Sequence, residues 1–540
     1  MWSKSPLPRV AYFSMEYAID ASIKTYAGGL GILAGDYLKG SKDYNYPIIG
    51  IGIKWKQGYT DQLIDENSNV YDTYHNYKYD FLKDTKLKVK VKIYEKDVTC
   101  KIWLLDKFKL APLYLLDTDL PENDNRWITN QLYGGFEDSR LAQEIVLGIG
   151  GVRALRALGI NVDVYHFNEG HALFAGFELV REKMNIGISF DEAVKKSKEE
   201  IVFTTHTPII EGNESHSISR MISIGANNGF TIEQLISLGG CPFNMTVGAL
   251  RLSRISNAVS KLHGETANKM WKNIKNKSKI ISITNAIHIP TWVDEEMLKA
   301  AEDSNSSNLW TNHIKNKRKL ISFVKERNET ELNENSLLIG FSRRAAPYKR
   351  SNLIFSDMKI ISPLLKDGKI QIVFSGKAHP LDDTGKDIIK NLVNFSKQYP
   401  SSVVFLENYD MTIGKLLTQG SDVWLNNPRR PLEASGTSGM KAAMNGVLNL
   451  STLDGWWPEA CRDGINGWQF GDGLQSDDIY FIDKHDANAL YEVLMNKVIP
   501  TFYLERKKWI SMMKNSILST KDYFSVKRML EEYYSKIYIK

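Results

Sequence analysis

Cysteine is scarce: Cys100, Cys241 and Cys461 are the only three in 540 residues, far apart and without a C-x-x-C spacing. That excludes a disulfide framework and a cysteine zinc site, and it fits a reducing cytoplasm. Long apolar runs are missing too. Neither the opening MWSKSPLPRVAYFSMEY nor any later stretch stays apolar for the length of a signal segment or a membrane span, so the expectation is a cytoplasmic chain with no membrane partner. An excess of one charge is also lacking. The formal balance is +6, with lysines interleaved among Asp and Glu, which argues against a nucleic-acid surface. No internal repeat or low-complexity tract appears.

What is present is a chain long enough for two sizeable cores, 43% hydrophobic and 24% charged, as in globular proteins. Arg9 to Met15 reads as a buried strand, and residues 25–40, TYAGGLGILAGDYLKG, as a glycine-rich turn entering a helix. YPIIGIGIKW at 47–56 and an alternating set from Lys86 to Leu116 extend the sheet. Residues 138–158 have helical spacing, and NVDVYHFNEGHALFAGFELVRE gives strand, turn and helix. SNAVSKLHGETANKMW at 256–271 reads as a helix. A second alternation begins with SLLIGFSRR, IQIVFSGKAHP, SVVFLENYD and DVWLNNP. The expected fold is α/β, with two doubly wound, Rossmann-like domains facing a central cleft. Their expected extents are residues 1–295 and 296–500, joined through a polar stretch at 291–335, with helices at 501–540 crossing back to the first domain.

Several residues invite chemistry. Gly28 and Gly29 begin a turn that is either an incomplete dinucleotide loop, lacking the full G-x-G-x-x-G and its acidic partner, or an ordinary tight strand-to-helix connection. His166 and His171 suggest a metal, but their spacing of five does not suit a helical zinc pair, so no metal is expected. The FNEGHA and VFTTHTP loops place Glu169 and His206 beyond strand ends, where α/β sheets hold ligands. FSRRAAPYKRSN gathers Arg343, Arg344, Lys349 and Arg350. Arg350 reads as part of a solvated face, while Arg343 and Arg344 directly follow a strand and could grip an oxyanion. In PLEASGTSGMKAAMNG, Glu433 to Thr437 form a loop of small residues leading into a helix, a setting that favours an anion or a hydroxylated ligand. Lys441 lies among Gly439, Met440, Ala442, Ala443 and Met444. It is either a packed lysine with a solvated head or an amine whose pKa is depressed for attack on a carbonyl.

PLEASGTSGMKAAMNG resembles the cofactor-lysine segment of the α-glucan phosphorylases, and the resemblance runs from AYFSMEY to DGWWPEA and NGWQFGDG. It implies a retaining phosphorolysis of α-1,4-glucan by inorganic phosphate, giving α-glucose 1-phosphate in a cleft between domains. Pyridoxal 5′-phosphate would be carried covalently by Lys441, its 5′-phosphate exchanging a proton with the substrate phosphate. Arg344, Thr437, Tyr409 and the amides of Gly28 and Gly29 would hold the cofactor. Arg343, Arg344 and Lys349 would neutralise the phosphates, with Arg343 standing where the family has lysine. Glu433, Ser435, Gly436, Tyr348, Glu169, Asn285 and the main-chain oxygen of His206 would face the sugar. The family pattern begins near residue 10, implying a short microbial form without effector regulation, and a homodimer is the family's habit. The alternative is a nucleotide-sugar-dependent glucosyltransferase of glycogen-synthase type. Those enzymes carry E-x7-E, and the position eight residues after Glu433 is Lys441.

Overall fold

The computed structural model describes residues 6–135, 137–303 and 307–540. Two compact units emerge: Met1–Thr60, Tyr74–Thr284 and Val526–Lys540 form the first, and Asp61–Thr73 with Asn285–Ser525 the second.

The first unit is built on a nine-stranded sheet. Its central strand Val10–Phe13 is buried throughout and pairs in parallel with both Ile48–Ile53 and Val164–Asn168. A run of apolar residues without alternation is what a strand covered on both faces requires. Ile201–Thr204, Ile255–Ala258 and Lys279–Ser282 continue the sheet in parallel on one side, and Leu113–Asp117 on the other. Lys96–Leu105 and Lys83–Ile93 complete it as an antiparallel hairpin. The alternating charges of Lys83–Ile93 follow from its partly exposed position.

Residues 138–158 are helical in three pieces, Glu137–Ile145, the wider turn Val146–Gly150 and Gly151–Ala157. Glycine is demanded here by close packing: a Cβ on Gly148 would lie 2.4 Å from the Ala175 nitrogen. The stretch 256–271 is corrected, because Ile255–Ala258 is a strand and the helix starts at Lys261 after the Ser260 cap.

The second unit carries six parallel strands, ordered Val403–Leu406, Ile370–Ser375, Leu337–Ser342, Val423–Asn426, Leu448–Thr452 and Gly467–Phe470. Counted within the unit this is the order 3-2-1-4-5-6 of dinucleotide-binding sheets, which reverses between Leu337–Ser342 and Val423–Asn426.

The expected domain limits differ from these units. The polar stretch at 291–335 is no linker, since helices Glu295–Glu302 and Ser307–Asn328 belong to the second unit. Their lysines and asparagines conceal a buried side comprising Met297, Leu309, Leu320 and Val324. Lys317 and His313 on the longer helix bind the buried Asp422 carboxylate at 2.6 and 2.8 Å, fixing that helix beside the sheet. The tail also divides. Arg506–Thr520 stays with the second unit through buried Trp509, Met513 and Ile517, and 526–540 alone returns to the first. There Tyr538 hydrogen-bonds to His166 at 2.6 Å.

Candidate functional site

Loops following the two strands at a reversal of order open into a common crevice at the carboxyl edge of the sheet. In the second unit these loops are 343–350 and 427–437. Arg343 and Lys349 from the first both donate to one oxygen of Glu433 on the second, Oε2. The three side chains are buried or nearly so. Lys349 also lies 4.6 Å from the centre of the Tyr348 ring. Burial disfavours the Glu433 anion, yet Arg343 and Lys349 outweigh it and hold its pKa down to about 2. Two cations on one carboxylate leave a surplus positive charge, which an added oxyanion would balance.

Arg344 does not join this pair and is exposed. Arg350 overturns the solvated-face reading: it is buried, donates to the carbonyls of Asn427 and Pro428, and pairs with Asp486 at 2.7 Å and Asp483 at 3.0 Å. Its role is to clamp the two loops together.

Sequence reasoning missed Asp454. Its Oδ2 accepts the Glu433 amide at 2.9 Å and its Oδ1 accepts the Gly455 amide at 2.8 Å. Burial, then the Glu433 charge, pushes its pKa up to about 7. The Asp-Gly pair in DGWWPE was the available signal, because Gly455 adopts φ +59° and a Cβ there would lie 2.3 Å from the Ser435 oxygen. That carbonyl also accepts the Trp456 amide at 3.0 Å, so the loop's path is fixed at both ends. Gly436, at φ +74°, packs under the Arg343 guanidinium.

The helix after this loop is Ser438–Met444, and the Thr437 carbonyl accepts the Lys441 amide. Lys441 is 4% exposed, and its ammonium stands 3.4 Å over the Trp292 ring, a partner not foreseen from the sequence. Asn445 holds this arrangement by donating to the carbonyls of Lys441 and Trp292. Half-buried Tyr409, raised by burial to about 12, packs in the apolar cluster that includes Ala442. The buried atoms Ser435 Oγ, Ser438 Oγ and Trp456 Nε1 have no hydrogen-bond partner among the described residues. Such orphaned donors, the small residues and a buried lysine fit a phosphorylated aldehyde cofactor.

In the first unit the strand order reverses between Val10–Phe13 and Val164–Asn168. Glu16, beyond the first of these strands, accepts the amides of Ala27 and Gly28 at 2.7 and 2.9 Å and the Tyr133 hydroxyl at 2.8 Å. The Gly28 amide is thus committed to Glu16 and not open to a ligand. A Cβ on Gly28 or Gly29 would meet no described atom within 4 Å, so packing does not dictate these glycines. Beyond the second strand, Glu169 at φ +74° accepts the His206 amide at 2.7 Å and the Thr207 hydroxyl at 3.1 Å. His206 Nε2 meets Asn168 at 2.6 Å, and burial followed by neighbouring histidines lowers its pKa to about 3, leaving a neutral ring. The structure therefore groups His206 with Glu169 in one unit, and Arg343, Lys349, Glu433, Ser435 and Gly436 in the other. Asn285 is buried in the second unit, not in that of His206.

A family model described as carbohydrate phosphorylase matches residues 266–491. The maltodextrin phosphorylase of Thermococcus litoralis is 39% identical over all of this chain and 72% of its own length. The glycogen phosphorylase of Aquifex aeolicus is 36% identical, covering 98% of this chain and 86% of the relative. An uncharacterized protein of Methanocaldococcus jannaschii is 38% identical over 98% of this chain and 99% of its own. The identity extends well beyond the segment around Lys441, through both units, and on that ground the chain belongs to the carbohydrate phosphorylase family.

Proposed function

We propose that this protein is an α-1,4-glucan phosphorylase that transfers a terminal glucosyl unit of glycogen, starch or maltodextrin to inorganic phosphate, giving α-glucose 1-phosphate with retention. The observation that carries the reading is the meeting of Arg343 and Lys349 on Glu433, one loop away from buried Lys441. Family membership and the names of the relatives support it.

Lys441 would carry pyridoxal phosphate, with Thr437, Ser438 and Tyr409 around it. When bound, that group supplies a 5′-phosphate able to give and take a proton beside the substrate phosphate. The protein's own contribution is electrostatic and positional. Arg343 and Lys349 would bind the phosphate nucleophile through charged hydrogen bonds, and exposed Arg344 would reach it by turning inward. Held ionised, Glu433 accepts hydrogen bonds from sugar hydroxyls and stabilises positive charge developing on the glucosyl carbon. The amides of Ser435 and Gly436 would donate to the same sugar. Neutral His206, held by Glu169 and Asn168, would offer its carbonyl to a sugar hydroxyl without adding charge. Three unpaired cysteines fit a reducing cytoplasm.

The decisive assay follows glucose 1-phosphate released from maltodextrin by the purified, pyridoxal-phosphate-loaded protein. Release that depends on inorganic phosphate is expected. Consumption of UDP- or ADP-glucose without phosphate would overturn the reading in favour of a nucleotide-sugar transferase.

A further inference from the structure

One face of the first unit's sheet is polar where a covered parallel sheet is ordinarily apolar. His166 and Asn168 on Val164–Asn168, Thr204 on Ile201–Thr204 and Asn257 on Ile255–Ala258 share that face by register, with Tyr12 beside His166. All five are buried. Buried donors and acceptors need partners, and phenols of the returning segment 526–540 supply several of them.

The direction of each hydrogen bond is set by proton count. Thr204 Oγ1 donates its one proton to Asn257 Oδ1 at 2.7 Å, and Asn257 Nδ2 donates to the Ala258 carbonyl at 3.2 Å and to the Tyr533 hydroxyl at 3.1 Å. Thr204 Oγ1 therefore accepts from His166 Nε2, 2.7 Å away. Burial, then the neighbouring His206, lowers the His166 pKa to about 3, so the ring is neutral and carries one proton. With that proton on Nε2, Nδ1 is an acceptor, and the Tyr538 hydroxyl donates to it at 2.6 Å. Tyr538 in turn accepts from Tyr37. The chain of bonds runs one way, from Tyr37 through Tyr538 and His166 to Thr204 and Asn257.

Thr204 leads directly into the loop of His206. Its carbonyl accepts the Glu169 amide at 2.9 Å, the Thr205 amide donates to the Asn257 carbonyl at 3.0 Å, and Glu169 accepts the His206 amide at 2.7 Å. We propose that Tyr538 is a positioning residue: by holding His166 in its Nε2-protonated form it fixes Thr204, and through Thr204 the place of the His206 main-chain oxygen, whose part in sugar binding rests on the phosphorylase reading above. Segment 526–540 thereby contributes to glucan binding as well as to closing the first unit. Without the Tyr538 hydroxyl, His166 Nδ1 is a buried acceptor with no donor. Nothing on that side then selects a tautomer, and the Thr204 proton is no longer committed to Asn257.

The segment is anchored independently of this hydroxyl. Arg254 Nη2 donates to the carbonyls of Ile537 and Tyr538 at 2.6 and 2.9 Å, and Val526, Met529 and Leu530 are buried. Tyr538→Phe should therefore fold, and it provides the test on the full chain. In protein labelled with ¹⁵N-histidine, wild-type His166 should show a protonated Nε2 and a bare Nδ1, its signals assigned by their loss in His166→Gln. Tyr538→Phe should shift the His206 amide, with exposed His75 as the control. It should also raise KM for maltodextrin by about 3- to 10-fold while KM for phosphate stays near wild type. An unmoved His206 amide would overturn the proposal, as would equal rises in both KM values. A wild-type His166 protonated on Nδ1 would overturn it too, and this measurement decides the matter even if the variant fails to fold. No glucose 1-phosphate from the wild type would instead overturn the phosphorylase reading, and the His206 amide would still decide whether Tyr538 positions that loop.

Discussion

Asp454 holds Glu433 by its backbone: the Glu433 amide donates to Asp454 Oδ2 at 2.9 Å, while the carboxyl of the same Glu433 lies in the grip of Arg343 and Lys349. The two acids are thereby kept close but given opposite environments. Glu433 has two cations to sustain its charge, whereas Asp454 has backbone amides and a neighbouring anion.

The stability of the fold should record this difference. The pKa of Asp454 is raised from 3.8 to about 7, so its contribution is fully present below its unfolded value and is lost as pH rises through about 7. Glu433 is depressed from 4.5 to about 2, so its contribution is present above its unfolded value and is lost as pH falls toward about 2. Thermal midpoints of wild type and Asp454→Asn should therefore diverge in slope between weakly acidic and neutral pH, with the flatter profile in the variant. Parallel profiles would show that Asp454 ionises normally. Because Asn replaces one acceptor oxygen by a donor, the variant should also lose about 1–3 kcal/mol of transition-state stabilisation, measured as kcat/KM.

Arg343 tests the phosphate assignment. Arg343→Ala should raise the apparent KM for phosphate, or lower kcat, by about 2–3 kcal/mol in total, with little change in KM for maltodextrin. Arg343→Lys, restoring the residue the family places there, should recover most of that loss. Equal damage toward both substrates would point to a disturbed loop.

Much of this arrangement was legible in the sequence because both local pattern and loop chemistry are strong. Buried strands such as Val10–Phe13 and Leu337–Ser342 are continuous apolar runs, and the residues that follow them supply the candidate site. The stretch at 291–335 was opaque for a physical reason. The helix Ser307–Asn328 shows solvent a face crowded with lysine and asparagine, and its anchoring lysine, Lys317, is buried only because Asp422 waits 105 positions away in sequence. Arg350 deceived in the same manner, its acidic partners Asp483 and Asp486 being far along the chain. Asp454, Glu16 and Trp292 act on residues distant in sequence, and no periodicity or spacing announces such contacts.

Gly455 provides a test of the loop that is independent of charge. A methyl group there would lie 2.3 Å from the Ser435 oxygen on a residue already at φ +59°. Backbone must move to admit it, so Gly455→Ala should cost about 2 kcal/mol or more in denaturant unfolding. Gly28→Ala, where the added carbon meets no described atom within 4 Å, should leave stability within about 0.5 kcal/mol of wild type. A similar cost at both positions would mean that the collision with Ser435 does not govern the loss.

Lys441 separates an anchoring lysine from a reacting one. It is buried, seated over Trp292 and backed by Asn445, an environment that fixes the amine's position and restricts its exchange. Lys441→Ala should therefore abolish stable incorporation of pyridoxal phosphate, seen as loss of the cofactor's absorption after desalting, with a circular dichroism spectrum like that of wild type. Borohydride treatment of the loaded wild type, which would fix the cofactor to Lys441 irreversibly, should leave considerable phosphorolytic activity, because the proposed work belongs to the 5′-phosphate and the lysine has only to hold it. Loading with pyridoxal, which lacks that phosphate, should give an inactive protein that phosphite partly restores. If borohydride alone destroys activity while the fold survives, Lys441 must exchange with substrate during turnover, and its place as an anchor is wrong.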